Sequence, residues 1–240
     1  MRTIKLIIKL FATLVAVSLF AGCKKDSTST QPQSSCKVTS ISVGGAIAET
    51  VAYNTNGTID SIVSGTDITS YVYSGNTITE TTLNSGQFDN IAIVTVNSDE
   101  LATNVRTEYS ADGTDWDNAA YEYNGSQVTK LISTSSYTVS ADTTSFQWSA
   151  GNLASVIEDG DTTKIDYFTD KLSQPGDYLS LSQLHQGYEI FINKNIIKTI
   201  TTGADVSNLT YTYDTNGKIT SLTENDGTNT ETYSFQYQCN

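Results

Sequence analysis

The fold is decided by Tyr211-Thr212-Tyr213-Asp214-Thr215-Asn216-Gly217-Lys218-Ile219-Thr220-Ser221-Leu222. Leu209, Tyr211 and Tyr213 alternate with Thr210 and Thr212, so an extended chain sends the apolar side chains to one face and the hydroxyls to the other. Asp214 to Gly217 carry turn chemistry, and Asn216-Gly217 suits a backbone of positive φ. A second strand follows from Ile219 to Leu222. The unit is strand, turn, strand.

The unit recurs along the chain. Val51-Ala52-Tyr53-Asn54-Thr55-Asn56-Gly57-Thr58-Ile59-Asp60-Ser61-Ile62 follows it nearly residue for residue. Shorter copies start at Tyr71-Val72-Tyr73, Tyr121-Glu122-Tyr123 and Phe146-Gln147-Trp148, weaker ones lie near Ile91, Ile165 and Ile190, and Tyr233-Ser234-Phe235-Gln236-Tyr237 is a half copy. Eight or nine units of this kind give an all-β antiparallel meander of about 16 strands built from repeated hairpins. Only two prolines against fourteen tyrosines agree with strands. In the second strand of each unit the aliphatics sit three apart, as at Ile59 and Ile62, Val128 and Leu131, and Ile219 and Leu222. Period two would put those on opposite faces, so either a bulge resets the register or the strand is covered on both sides.

The N-terminal segment is of another kind. Arg2, Lys5 and Lys9 precede an apolar run from Leu10 to Gly22, shorter than the roughly 20 residues a spanning helix needs. Ala21-Gly22-Cys23 resembles the lipobox of bacterial lipoproteins, although Phe20 stands where Leu is usual. The resemblance implies a signal peptide over 1–22, acylation of Cys23 as the new N-terminus, and a membrane partner held through the lipid. Residues 23–35 read as a flexible tether too polar to pack. Lys24 is not the Asp that marks inner-membrane retention, so the outer membrane is expected, with its periplasmic or cell-surface side open.

Residues 36–240 then form a single all-β repeat domain. Setting Cys23 aside leaves Cys36 and Cys239 at its two ends. In an oxidising compartment they are expected as a disulfide worth roughly 5 kcal/mol or less, with free thiols or a link to another chain as alternatives. The bond would close the meander into a barrel and remove exposed edges. Sixteen strands enclose more space than one layer of side chains fills. The expectation is therefore a closed or flattened barrel, or an insertion at 175–186 acting as a plug, with an open sheet or sandwich as alternatives. A transmembrane barrel with Tyr outward is the rival, weakened by strand centres that lack Leu and Val.

The Tyr-x-Tyr-Asp-x-x-Gly-x-Ile pattern resembles the YD repeat of RHS-type surface proteins. The whole arrangement is similar to an uncharacterised bacterial lipoprotein domain with a porin-like β fold, in which a partly helical insertion precedes the last repeats. Gln174 to His185, followed by Asn195-Ile196-Ile197, matches that insertion. The resemblance implies a shape and carries no mechanism.

A net charge of −13, deeper still without the basic N-terminal segment, makes nucleic acid and anionic membrane surfaces unlike partners and leaves cation binding open. His185 is the only histidine, which argues against a Ser-His-Asp triad and a His-rich zinc site. No cofactor is expected, calcium being the one weak candidate at Asp112, Asp115 and Asp117, whose spacing misses the EF-hand pattern. Trp116 among these acids is a weak candidate for stacking on a ligand. The reading is a non-enzymatic, lipid-anchored envelope protein that binds an extracellular glycan or protein. The alternatives are a structural part of an outer-membrane complex and a carboxylate-dependent glycoside hydrolase.

Overall fold

The computed structural model describes residues 36–138, 140–184 and 186–239; the expected signal peptide over 1–22, Cys23, the expected tether and His185 lie outside them. The strands are β1 Cys36–Val43, β2 Ala46–Tyr53, β3 Ile59–Ser64, β4 Asp67–Ser74, β5 Thr77–Asn84, β6 Gln87–Val96, β7 Ala102–Glu108 and β8 Trp116–Asn124. They continue as β9 Gln127–Ser135, β10 Asp142–Ser149, β11 Asn152–Glu158, β12 Asp161–Leu172, β13 Asn195–Thr202, β14 Asp205–Tyr213, β15 Ile219–Asn225 and β16 Thr230–Cys239. A short helix, α1, spans Tyr178–Ser182.

Every strand pairs antiparallel with its neighbours in sequence, and β16 returns to pair with β1, so the sheet is a closed 16-stranded barrel. Cys36 and Cys239 face each other in that last pairing and form a disulfide, with Cα atoms 4.0 Å apart. An open sheet and a sandwich are thereby excluded. Closure leaves no strand edge unpaired.

In the aromatic repeats the rings point inward and the polar residues between them outward. Tyr71, Phe146, Leu209, Tyr233 and Phe235 are buried, whereas Thr210, Thr212, Ser234 and Gln236 between them are exposed. Outer hydroxyls pair across strands, Thr212 with Ser221 at 2.7 Å and Thr223 with Thr232 at 2.9 Å. This polarity is the reverse of the one a lipid-facing barrel needs, with its apolar band outside. The outer face does carry an apolar strip on β3 to β6, where Val63, Ile68, Leu83 and Phe88 are successive cross-strand partners. Among the described residues no helix is long and apolar enough to cross a membrane.

Bulges explain the three-residue spacing of the aliphatics. The register shifts beside Val38, Ile59, Ala102, Val128, Leu153, Ile197 and Ile219, each in an odd-numbered strand. A bulge turns the next aliphatic back to the inner face and disrupts the ladder locally. An aromatic donor on the following strand meets the carbonyl at six of these seven places. Tyr53 donates to Val38, Tyr123 to Ala102, Trp148 to Val128, Tyr167 to Leu153 and Tyr237 to Ile219, all at 2.7 Å, and Tyr211 donates to Ile197 at 3.0 Å. Tyr73 is drawn toward Ile59 in the same way but falls short of good hydrogen-bond geometry. Between β4 and β5 the register runs unbroken through Tyr73 and Ile78, and β6 then presents Val94 and Val96 in place of an aromatic. Further register shifts at Glu49/Ile47 on β2 and Asn90/Phe88 on β6 carry no such clasp.

The connection from β12 to β13 enters the barrel and fills one end of it. Asp177 caps α1: its carboxylate accepts from the backbone N–H groups of Ser180 at 2.8 Å and Gln174 at 2.9 Å. The Gln183 side-chain oxygen accepts from the N–H of Ile190 at 2.7 Å and Phe191 at 3.0 Å, folding the segment back on itself. The wall holds it at several points. Ala102 donates to the Glu189 carbonyl at 2.8 Å, Leu153 donates to the Asn193 side chain at 2.7 Å, and the Phe191 and Phe146 rings lie 5.6 Å apart. Asn152 and Asn195 exchange hydrogen bonds at 2.8 and 3.1 Å where the segment rejoins the sheet. The insertion is a plug.

Candidate binding chamber inside the barrel

The barrel has two unlike ends. Both chain ends of the sheet, the disulfide and the plug share one, because β1 begins and β16 finishes there and the β12–β13 connection opens from it. Inward positions toward the opposite end are polar and acidic. Alternation places Asp142, Asp161, Asp205 and Glu231 inward at an exposed rim, with Glu158 and Glu224 further in. Glu224 and Glu231 are direct cross-strand partners. Burial raises the pKa of both Glu158 and Glu224, against hydrogen bonds from Thr144 and Ser207 that lower it.

Basic residues are kept away from this lining. Arg106, Lys130 and Lys164 occupy outward places on their strands, and Lys198 is exposed at a bulge. Lys37, Lys171, Lys194 and Lys218 belong to the plugged end. The acidic lining therefore has no inward counter-charge among the described basic residues.

A chamber lies deeper, on the β4 to β8 side. Tyr71, Glu80 and Ala92 stand side by side across β4, β5 and β6, all inward. Ala119 and Tyr121 face them from β8, and Tyr188 rises from the plug. Glu80, Tyr121 and Tyr188 are surrounded by protein on nearly every side yet keep accessible surface. A recess on the inner side of the barrel accounts for both. The two alanines leave the room that larger residues take up on the other side, where Phe146, Leu209 and Phe235 pack. Gly187 lets the plug come against the Tyr71 ring: a Cβ there would stand 2.5 Å from it.

Glu80 makes no hydrogen bond to any described residue, and burial alone pushes its carboxyl up to about 8. Glu49, buried on β2 and close enough to be felt by Tyr71, is pushed up to about 8 by the same cause. The tyrosine hydroxyls around them are raised too, again by burial first.

The residues singled out in the sequence lie elsewhere. Among the described residues no group of three or more His, Cys, Asp or Glu is arranged to hold a metal ion. Asp112 accepts from the N–H and hydroxyl of Thr114 at 3.2 and 2.7 Å, Asp115 from the Ser136 hydroxyl at 3.4 Å, and Asp117 from Tyr109 at 3.2 Å. Each acid serves its own loop and the three do not converge. Trp116 faces outward under the Arg106 guanidinium, 4.6 Å from its ring centre, and Arg106 pairs with Glu108 at 2.7 Å. Glu49 and Glu80 were not found by motif. Their signal was parity: Glu80 shares a face with Ile78, and Glu49 with Val51 and Tyr53.

No protein-family model matches this chain, and no curated protein resembles it. Among solved structures, the crystal structure of a porin-like protein from Bacteroides uniformis superposes with a TM-score of 0.59 at 14% identity, covering 84% of this chain and 96% of the other. Similarity at that identity is similarity of fold, and the fold shared is the porin-like barrel.

Proposed function

We propose that this protein is a lipid-anchored binding module of the cell envelope that admits a small ligand into its barrel through the acidic end. The observation that carries the reading is the chamber, where Glu80, Tyr121 and Tyr188 present polar heads to an accessible space deep in the molecule. Unpaired polar groups in such a place are costly unless something binds them. A tether to Cys23 would join at the plugged end, where β1 begins, and would turn the acidic rim away from an outer membrane. A chamber enclosed by sixteen strands suits a small molecule or the end of a glycan better than a folded protein.

Binding fits better than catalysis. Acid–base chemistry works with carboxyls whose pKa values are pushed apart, whereas Glu49 and Glu80 move in the same direction for the same reason. The outward strip of Val63, Ile68, Leu83 and Phe88 favours a second role, contact with a neighbouring envelope protein. The test is a thermal-shift screen of small molecules on the full chain and on Ala119→Leu, which fills the chamber. A ligand that raises the melting temperature of the first and not the second supports the reading; equal shifts in both refute it.

A further inference from the structure

Resting on that reading, the geometry points to an organic ammonium ion as the ligand of the chamber, with Glu80 as its counter-ion and the rings of Tyr121 and Tyr188 as its walls. Three observations converge. Glu80 is the one acid that looks into the chamber without a hydrogen-bond partner among the described residues, flanked by Tyr71 across the ladder on one side and by the small Ala92 on the other. The ring side is rich: Tyr71 and Tyr188 both feel the Glu80 charge, and Tyr188 also feels Tyr121. Aromatic faces around a carboxylate are the chemistry that holds alkylammonium groups, because each ring presents its negative face to the cation. The route inward is acidic as well, from the Asp142, Asp161, Asp205 and Glu231 rim past Glu158 and Glu224. A field of one sign in a narrow, low-dielectric passage concentrates ions of the other.

The donor set separates an organic cation from a metal and from a neutral sugar. Calcium takes six to eight oxygen ligands and magnesium a near-octahedral six. The described residues bring no three acids together for that purpose. A neutral sugar would leave Glu80 in its protonated form, whereas an ammonium group beside it favours the carboxylate and gains a charge-assisted contact. A cation of one charge, with an apolar surface to lay against the rings, satisfies both halves of the chamber.

The experiment titrates the full chain with tetramethylammonium, with tert-butanol as a neutral body of similar size, and with calcium, following affinity by calorimetry and the tyrosine ring signals by NMR. The expected result is binding of tetramethylammonium at least about tenfold tighter than tert-butanol, weakened about tenfold or more in Glu80→Gln and kept in Tyr121→Phe, which retains the ring. Equal affinity for tert-butanol in the unmodified chain overturns the inference without any variant. So does affinity unchanged in Glu80→Gln, or calcium displacing the ammonium through Glu80. In those cases a chamber that binds something else survives; failure of the Ala119→Leu screen removes the binding module itself.

Discussion

The hydroxyl of Tyr123 donates to the carbonyl of Ala102 at 2.7 Å, from the strand that follows a bulge to the backbone of the bulge itself. Repeated around the barrel, this contact explains why the chain keeps an aromatic with a donor atom at that place. A buried carbonyl beside a disrupted ladder needs a partner, and phenol or indole supplies one while its ring fills the core.

Removing the donor and keeping the ring isolates that contribution. Tyr123→Phe and Tyr53→Phe are each expected to destabilise by about 1–2 kcal/mol, because a buried acceptor is left unsatisfied. Tyr213→Phe is the control, its hydroxyl being buried without a hydrogen-bond partner, and should change stability little. Urea unfolding of the three variants measures this, and equal losses in all would show that the clasp contributes nothing of its own.

Glycines of like conformation should differ according to what surrounds them. Gly44 and Gly187 both have φ of +60°, but a Cβ meets nothing within 4 Å at Gly44 and the Tyr71 ring at 2.5 Å at Gly187. Each Gly→Ala change carries the left-handed penalty of about 1 kcal/mol. Gly187→Ala is expected to cost clearly more and to shift the plug, which a comparison of melting temperatures for the two variants will show.

The disulfide closes a separation of 203 residues. On the chain-entropy account, replacing Cys36 and Cys239 together with Ser should remove up to about 5 kcal/mol. Far-ultraviolet circular dichroism of the double variant should still report a β protein, since the β1–β16 pairing continues from Lys37 to Val43 without the bond. Full loss of β signal at room temperature would mean that the bond is a condition of the fold.

Acidity should stabilise this protein through Glu80. Its folded pKa, about 8, lies above the ordinary value of 4.5, so its contribution is fully present below about pH 4.5 and is lost as pH rises through about 8. Tyr71, Tyr73 and Tyr188 are the titratable groups that feel the Glu80 charge, and Glu49, raised by its own burial, shifts stability in the same sense. Melting temperature is expected to fall between about pH 5 and pH 9, and the fall should be shallower in Glu80→Gln. Parallel curves for the two proteins would contradict the assignment.

Strand number, meander order, the Cys36–Cys239 bond and the plug were legible in the sequence because each rests on local chemistry: alternation at Tyr211 and Tyr213, turns such as Asn216-Gly217, and a segment whose pattern breaks at Gln174. The bulge question stayed open because three-residue spacing fits two structures, and only the register at Ile219 decides it. Aligning repeats also misassigns one clasp. Tyr213 matches Tyr53 in the repeat, yet Tyr211 reaches the Ile197 carbonyl, because pairing between strands and not the motif fixes which aromatic lies beside the bulge. The chamber was invisible for a related reason. It depends on Ala92, Ala119 and Tyr188 meeting across distant strands and the plug, where Glu80 alone looks like any strand glutamate.

Joining of the first and last strands has a consequence for the chain as a circuit. With the two ends meeting at Cys36 and Cys239, the strand at which the barrel sequence begins is not dictated by the architecture of the ring. A short link between residues 36 and 239, with new termini cut at the exposed Gly203-Ala204 turn, should give a permuted barrel of the same shape. In that permuted chain the residues ahead of the barrel would join it at the acidic rim, so the place where the barrel sequence begins also sets which end the proposed lipid anchor would hold toward a bilayer.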